Sequence, residues 1–227
     1  SLPDTHKQIL TTQYRMIENI GNLISKVFYR GIIDTGCNDD EKRHGLSRYV
    51  GKSIVWFDTS ANKKKSQKRT KGGSYINEEE KRIILEILDD LKSTGELKGL
   101  DIGIITGYSG QKELLRKSIK ATGLDKIASK IDINTLDAFQ GRENDIIIYS
   151  TVRTRDSIGF QKEKERVNVA FSRAKKLLIV CGDKNFFYNF DDQDNKFVEI
   201  IDYISEEEEC EIIQCDGGKL FERESNS

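Results

Sequence analysis

Short runs of apolar, mostly β-branched residues recur along the chain, and the segments between them carry apolar residues at helical spacing. Uninterrupted apolar runs of this length are typical of strands buried on both faces. The chain contains four such runs, which we interpret as strands of one sheet. They are Ser53–Phe57, Ile102–Ile105, Ile146–Tyr149 and Leu177–Val180.

Three segments between these runs place apolar residues every three or four positions, which is the period of a helix with one buried face. Strands that alternate with helices imply crossover connections and a mostly parallel sheet covered by helices on both faces. We therefore predict one α/β domain over residues 1–227. The helical positions are Ile20, Leu23, Ile24 and Val27; Ile84, Ile87, Leu88 and Leu91; and Val167, Ala170, Phe171 and Ala174.

Two stretches depart from this alternation. From about residue 59 to 73 the chain is rich in lysine and has no apolar period, which predicts a mobile surface loop. The loop leads to Asn77, which with Glu80 three residues later predicts a helix N-cap and a capping box. After about residue 205 we expect an acidic, partly frayed tail that contains one short strand, Cys210–Gln214.

Composition limits the class of protein but does not indicate a function. Hydrophobic residues make up 36% and charged residues 33% of the chain, as in a soluble globular protein. The formal net charge of −1 argues against a protein that coats nucleic acid by charge alone, whereas a motor needs only one local basic patch. No apolar run is long enough to cross a bilayer, so we expect no membrane partner.

The four cysteines are not arranged in CxxC pairs and the chain has only two histidines, so a zinc site is not expected. We interpret the cysteines as reduced thiols, which places the protein in the cytoplasm or the nucleus.

The sequence lacks the motifs that would allow the chain to catalyse a reaction by itself. There is no GxxxxGK[ST] loop for nucleotide phosphates, no GxGxxG fingerprint, and no Ser/His/Asp or Cys/His arrangement. The glycines of Gly107–Lys112 do not have the phosphate-loop spacing. We therefore expect that the chain cannot hydrolyse a nucleotide by itself.

The segment Arg166–Lys175 predicts a short helix that leads into a strand. Positions seven apart return to nearly the same side of a helix, so Arg166 and Arg173 are expected to project together. Two guanidinium groups beside a packed face suit bidentate capture of phosphate. The alternative is a cationic helix edge that pairs with neighbouring carboxylates.

Five segments, in this order, resemble the C-terminal motor domain of superfamily 1 helicases. The resemblance is to the 5′-to-3′ branch that includes the nonsense-mediated-decay and senataxin-type helicases, and it runs from about Gln13 to Gly182. It implies a RecA-like fold. The matching segments are Gln13–Met16 (QYRM), Gly73–Glu80 (GxSxxN and the following helix start), Ile104–Gln111 (ITPYxxQ), Thr135–Glu143 (ending FQGRE) and Arg166–Lys175 (RxNVAxTRAK).

The resemblance implies that ATP, with Mg²⁺, lies between this domain and an upstream RecA-like domain of the same polypeptide. On this basis Arg15 and Arg173 match arginine fingers, and Glu143 matches the acidic residue that touches the ribose. The nucleotide-binding candidates also include Gln140 and Gly141, in the turn beside it, and Arg166. The alternatives are a helix-start salt bridge for Arg15, a solvated turn carboxylate for Glu143 and a positive-φ turn for Gly141.

The same resemblance implies that single-stranded DNA or RNA is gripped through phosphates and sugars, with some stacking. Thr135 matches a hydroxyl that reaches a phosphate. Thr106 and Tyr108 lie on a loop that often faces the strand, and Tyr108 is either a stacking ring or a partly buried one. Arg153 is expected to reach the nucleic-acid backbone or an internal carboxylate.

The chain departs from the family pattern at two places. Ile17 and Glu18 replace the usual HP after QYRM, and Gly107 replaces the proline of ITPY. The leading hypothesis is the second motor domain of an ATP-dependent helicase or translocase. The alternatives are a nucleic-acid-binding or scaffold module without catalysis, and an unrelated α/β enzyme that binds a small molecule by itself.

Overall fold

Six parallel strands form the centre of the molecule. The computed structural model describes residues 11–37, 43–62, 67–96, 99–124, 130–139 and 141–221, with the backbone alone at residue 130. Every pairing within the sheet is parallel. In order across the sheet the strands are Cys210–Gln214 (β10), Ile54–Asp58 (β3), Ala174–Gly182 (β9), Asn144–Ser150 (β8), Asp101–Thr106 (β6) and Lys130–Thr135 (β7).

Helices cover both faces of this sheet, so the α/β expectation is confirmed. Trp56 and Tyr149 contribute to one apolar layer, and Val55 and Phe57 contribute to the other, as alternation along strands requires. None of the helices that the structure describes is both long and apolar enough to span a membrane. The helices are Glu18–Tyr29 (α1), Glu78–Ser93 (α2), Ser109–Thr122 (α3), Lys164–Phe171 (α4), Lys184–Tyr188 (α5) and Phe197–Glu206 (α6).

Two small strand pairs lie outside the main sheet. Thr12–Gln13 (β1) pairs in parallel with Asp34–Thr35 (β2). Gln67–Arg69 (β4) pairs in antiparallel fashion with Tyr75–Asn77 (β5). The second pair lies partly within the lysine-rich stretch, so the expectation of a loop throughout residues 59–73 is wrong.

The reason for this correction is a buried polar side chain. Gln67 is only 2% exposed, and its Oε1 accepts a hydrogen bond from the backbone N–H of Thr154 at 2.9 Å. A strand held by a glutamine leaves no apolar period in the sequence. Lys63, Lys64 and Lys65 lie outside the described residues.

The acidic tail contributes a strand to the main sheet and packs against the core. The predicted strand Cys210–Gln214 is confirmed as β10, an outer strand of the main sheet. Beyond it, the ring of Phe221 packs edge-on against Phe57, with 6.3 Å between ring centroids, and Arg48 lies over the same ring. Partial fraying of the tail stays a prediction, and residues 222–227 lie outside the described part of the chain.

The start of α2 is capped as predicted, with one difference. The Asn77 side chain accepts hydrogen bonds from the backbone N–H groups of Glu79 and Glu80. In a capping box the Glu80 carboxylate would return to the backbone N–H of Asn77. That N–H instead donates to Oε1 of Gln111 at 2.8 Å, while Nε2 of Gln111 donates to the Asn77 carbonyl at 3.1 Å. The cap therefore joins α2 to α3.

The Glu80 side chain is fully buried and joins α2 to the end of β8. Both of its oxygens accept from the backbone N–H of Val152 at 2.9 Å, and one accepts from the Ser150 hydroxyl at 2.6 Å. Burial raises the pKa of Glu80 to about 8, against the opposing effect of these hydrogen bonds. Val152 has φ of +69°, a conformation that a β-branched residue rarely adopts. Glu80 thus stabilises a strained turn that follows β8.

Replacing Glu80 by glutamine should change how stability depends on pH. The pKa of Glu80 rises from an ordinary 4.5 to about 8 on folding, so the folded state binds its proton more tightly than the unfolded chain. The free energy of unfolding of the wild type should therefore fall, relative to that of Glu80→Gln, as the pH rises from about 4.5 to about 8.

Urea denaturation of both proteins at several pH values measures this difference, in which the titration of other groups cancels. A difference that stays constant across this pH range would show that Glu80 is ionised in the folded state throughout.

Candidate functional site

The residues singled out from the sequence divide between two edges of the sheet. In a parallel sheet, residues that precede strands lie at one edge and residues that follow strands lie at the other. Glu143 precedes β8 and Arg173 precedes β9, so both lie at the amino-terminal edge. Thr106 and Thr135 end β6 and β7, and Arg153 follows β8, so these three lie at the carboxyl-terminal edge.

An arginine–carboxylate cluster forms at the amino-terminal edge. Nε of Arg15 donates to Oε2 of Glu143 at 2.6 Å, and an Arg15 Nη donates to the Ser172 carbonyl at 3.4 Å. Nη1 of Arg173 donates to the Arg142 carbonyl, on the residue next to Glu143. Residues that are 128 positions apart in the chain therefore meet at one place.

Backbone contacts hold Arg15 in this cluster. Oε1 of Gln13 accepts from the backbone N–H groups of both Arg15 and Met16, which folds the segment into a tight turn. The next residue, Ile17, donates its backbone N–H to the carbonyl of Lys175 in β9 at 2.8 Å. The QYRM segment is thereby fixed to the strand that Arg173 precedes.

Arg173 is partly buried and experiences the charge of its neighbours. Its Nε donates to the Val169 carbonyl in the last turn of α4 at 2.9 Å. Burial is the largest effect on Arg173 and lowers its pKa, the Arg15 guanidinium lowers it further, and Glu143 opposes both. Two guanidinium groups thus share the field of one carboxylate, which leaves net positive charge suited to an anion.

The expectation that Arg166 and Arg173 project together is wrong. Helix α4 ends at Phe171, so Arg173 is not on the helix and the seven-residue repeat does not apply to it. Nε of Arg166 instead donates to Glu163 at 2.7 Å, at the other end of α4. Its guanidinium also lies 3.6 Å from Asp137 and over the ring of Phe160. Arg166 therefore pairs with nearby carboxylates, which is the alternative considered for this helix.

The turn before β8 contains Gly141, which has φ of +83° and an exposed backbone. A Cβ added at Gly141 would meet no atom within 4 Å, so its positive φ is what favours glycine there. Glu143 follows with a side chain that is 46% exposed. Gln140, the other residue of this turn, lies outside the described residues.

At the carboxyl-terminal edge, three candidate nucleic-acid residues are buried. Tyr108 is 4% exposed and packs between the rings of Tyr75 and Phe160, at centroid distances of 5.6 and 5.5 Å. Thr106 is fully buried and its hydroxyl accepts from the backbone N–H of Tyr108. Neither side chain is exposed to a nucleic-acid strand in this structure, and for Tyr108 this agrees with the partly buried ring that was the alternative to a stacking ring.

Arg153 is also buried, at 5% exposure. Its guanidinium lies 4.1 Å from the centre of the Tyr75 ring and donates to the carbonyl of Arg155. Its expected contact with the nucleic-acid backbone is therefore wrong for this structure, and its partner is an aromatic ring instead of an internal carboxylate. Thr135 is half-buried at the end of the outermost strand β7 and stays a prediction as a phosphate contact.

Two tyrosines beside the arginine cluster were not singled out from the sequence. Tyr14, next to Arg15 in the chain, is 67% exposed, and Tyr29 is 41% exposed. The Tyr29 hydroxyl accepts a hydrogen bond from Nδ2 of Asn168, and Tyr29 also influences the pKa of Arg173. The position of Tyr14 inside the QYRM motif was a usable signal, whereas the position of Tyr29 depends on helix packing.

Comparison with known proteins agrees with the motifs. A family described as an AAA domain matches residues 2–185. The helicase SEN1 of Saccharomyces cerevisiae is 36% identical over 185 residues, which is 77% of this chain and 8% of that protein. The regulator of nonsense transcripts 1 homolog of Neurospora crassa is 32% identical over 181 residues, covering 77% of this chain and 16% of that protein.

Among the other relatives, an uncharacterized ATP-dependent helicase of Methanocaldococcus jannaschii is 33% identical over 220 residues, covering 91% of this chain and 31% of that protein. Among solved structures, the C-terminal domain of a possible DNA helicase from Lactobacillus plantarum matches with a TM-score of 0.43 and 14% identity, over 75% of this chain and 88% of that one.

The chain matches less than a third of the length of each of these relatives. The region that the family matches, residues 2–185, nevertheless contains all of the segments that form the arginine cluster, as well as Thr106, Thr135 and Arg153 at the other edge of the sheet. The chain belongs to the AAA domain family that forms the C-terminal helicase domain of SEN1-type and nonsense-transcript-regulator-type helicases.

Proposed function

We propose that this domain is the second motor domain of an ATP-dependent nucleic-acid helicase or translocase. In this role it supplies Arg15 and Arg173 to an ATP site that another RecA-like domain completes. The observation that carries the proposal is the meeting of Arg15, Arg173 and Glu143 at one edge of the sheet. The ATP-dependent relatives support it by family, since their names describe helicases.

The contact between Arg15 and Glu143 suits a site that exchanges partners. The side chains are 39% and 46% exposed, and an exposed ion pair contributes only about 0–1 kcal/mol to stability. A bound triphosphate can therefore take over Arg15 at little cost. Glu143 is then released to accept a hydrogen bond from a ribose hydroxyl.

The chemistry of the cluster fits the phosphates of ATP and not the Mg²⁺ that accompanies them. Guanidinium groups bind phosphate oxygens and stabilise the charge that develops during transfer of the phosphoryl group. Within the described residues, no group of three or more histidine, cysteine or carboxylate side chains is arranged to hold a metal ion. In this proposal the other domain, which holds the phosphate loop, also supplies the ligands of the Mg²⁺.

The proposal places single-stranded nucleic acid at the carboxyl-terminal edge, where β7 ends with Thr135. One relative, of Saccharomyces cerevisiae, is named as a DNA helicase associated with DNA polymerase alpha, and another is named as a regulator of nonsense transcripts. A grip on phosphates and sugars does not depend on base identity. We therefore propose single-stranded nucleic acid as the substrate class.

Removing either guanidinium should stop ATP turnover in a protein that contains both motor domains. An arginine finger contributes on the order of a thousand-fold or more to the rate, so Arg173→Ala and Arg15→Ala should each lower kcat by about that factor. The matched control is Arg142→Ala. Arg142 is exposed and lies next to Glu143 in the turn before β8, but its side chain pairs with Asp132. Turnover of Arg173→Ala near the wild-type rate, measured by phosphate release, would disprove the assignment.

Glu143 should determine recognition of the ribose. We expect the wild type to have a KM for 2′-deoxy-ATP or 3′-deoxy-ATP about tenfold above its KM for ATP, the value of one hydrogen bond to a charged group. Glu143→Ala should abolish this preference while retaining much of kcat. Equal preference in the variant and the wild type would mean that Glu143 is only a solvated turn carboxylate.

A further inference from the structure

The strand pair β4–β5 and its turn, residues 67–77, form an exposed basic hairpin. Lys68, Arg69 and Lys71 are all exposed. Among the residues that the structure describes, no carboxylate forms an ion pair with any of these three cations. The whole chain has a net charge of −1, so this positive charge is a local feature.

The hairpin is fastened at the carboxyl-terminal edge of the sheet. Gln67 accepts from the backbone N–H of Thr154, and the Arg155 guanidinium donates to the Gln67 carbonyl at 3.3 Å. Just before the second strand, the Ser74 hydroxyl accepts from the backbone N–H of Gly110 at the start of α3. The hairpin therefore lies at the edge where Thr135 ends β7, and away from the arginine cluster.

The turn of the hairpin is held by its own backbone. The N–H of Thr70 donates to the Ser74 carbonyl at 2.7 Å, and the N–H of Gly73 donates to the Thr70 carbonyl at 3.0 Å. Gly73 has φ of +83°, which favours glycine in this turn. A backbone fixed before binding lowers the entropy that a ligand contact would cost.

The composition of the hairpin favours nucleic acid over a protein partner. The exposed stretch from residue 68 to residue 73 has no apolar side chain, whereas protein interfaces need an apolar or aromatic centre. Arg155 adds a fourth exposed cation at the base, and its ion-pair partner among the described residues is Asp156, at 3.9 Å from Nε. Four cations against one carboxylate, without apolar neighbours, suit a row of phosphates.

We propose that the β4–β5 hairpin is a second contact for single-stranded nucleic acid, with Lys68, Arg69 and Lys71 binding its phosphates. The inference rests on the proposed function, because it places the strand at the same edge as Thr135. It assigns the basic hairpin to extending the grip beyond the end of β7. Arg155 contributes from the base of the hairpin and fixes its orientation.

The test is the salt dependence of binding. Fluorescence anisotropy would follow the binding of this chain to labelled 15-nucleotide oligo-dT and oligo-rU between about 25 and 200 mM KCl. Each phosphate contact to a single strand contributes about 0.7 to the slope of log K against log salt. The variant Lys68→Ala/Arg69→Ala/Lys71→Ala should therefore have a slope shallower by about 2 and an affinity at low salt at least about tenfold weaker.

A matched control separates contact from overall charge. Lys92, Lys117 and Lys120 are exposed, and they lie toward the ends of α2 and α3, away from the hairpin. Replacing all three by alanine makes the same change in net charge. This control should keep the wild-type slope, and thermal unfolding of each variant would verify that the fold is retained.

Each other outcome overturns a distinct statement. If the hairpin variant and the lysine control lost affinity and slope equally, net charge alone would explain the loss, and the hairpin contact would be disproved. A wild-type slope in the hairpin variant would also disprove it, while leaving the proposed strand grip intact. If the wild type bound neither oligonucleotide at low salt, the proposed grip itself would fail. Tighter binding to poly-glutamate than to the oligonucleotides would point to an acidic protein partner instead.

Discussion

Strand β8 is buried between two parallel partners, and both edges of the molecule are organised around it. Its residues Ile146–Tyr149 are fully buried, and it pairs with β6 on one side and β9 on the other. A one-residue slip in pairing would move every side chain to the opposite face, so burial on both faces fixes the register. Between Ile146 and Asn144 the pairing of β8 with β9 shifts by one residue, so that Asn144 pairs with Ala174 and donates its N–H to the carbonyl of Arg173. The position of Glu143 relative to Arg173 therefore depends on this shift as well as on the packing of the core.

The other end of β8 is held by buried polar contacts instead of apolar ones. Ser150 and the strained Val152 both bind Glu80, and Ser150 also accepts a hydrogen bond from Gln111. Buried polar groups stabilise one arrangement strongly when every partner is present. This network connects the Gln of the ITPYxxQ segment and the Asn of the GxSxxN segment to the strand end. The two motifs thus position the carboxyl-terminal edge and need not touch nucleic acid themselves.

Much of the fold could be predicted because apolar periodicity reports burial. The five predicted strands correspond to β3, β6, β8, β9 and β10, and the three predicted helices to α1, α2 and α4. Ala174 was assigned to the last helix but begins β9, because α4 ends three residues earlier. The outer strand β7 was missed because only uninterrupted apolar runs were interpreted as strands, whereas its residues alternate between apolar and polar side chains, the pattern of a half-buried strand.

The candidate site was predictable only in part, because motif resemblance does not report exposure. The resemblance indicated Arg15, Arg173 and Glu143 by residue, and the fold brings them together. It did not indicate that Tyr108 and Arg153 pack against Tyr75 in the interior. It also could not reveal the hairpin, since a buried Gln67 and a pair of backbone contacts define it. These features depend on tertiary contacts between segments far apart in the sequence.

The most direct test of the central claim is ATP turnover by this chain alone, with and without single-stranded nucleic acid, beside a longer protein that includes the other RecA-like domain. If Arg15 and Arg173 act on a nucleotide that another domain holds, the chain alone should release no phosphate above background, whereas the longer protein should be active. Turnover by the purified chain that disappears in Arg173→Ala would contradict this account, because a complete ATP site would then lie within these residues.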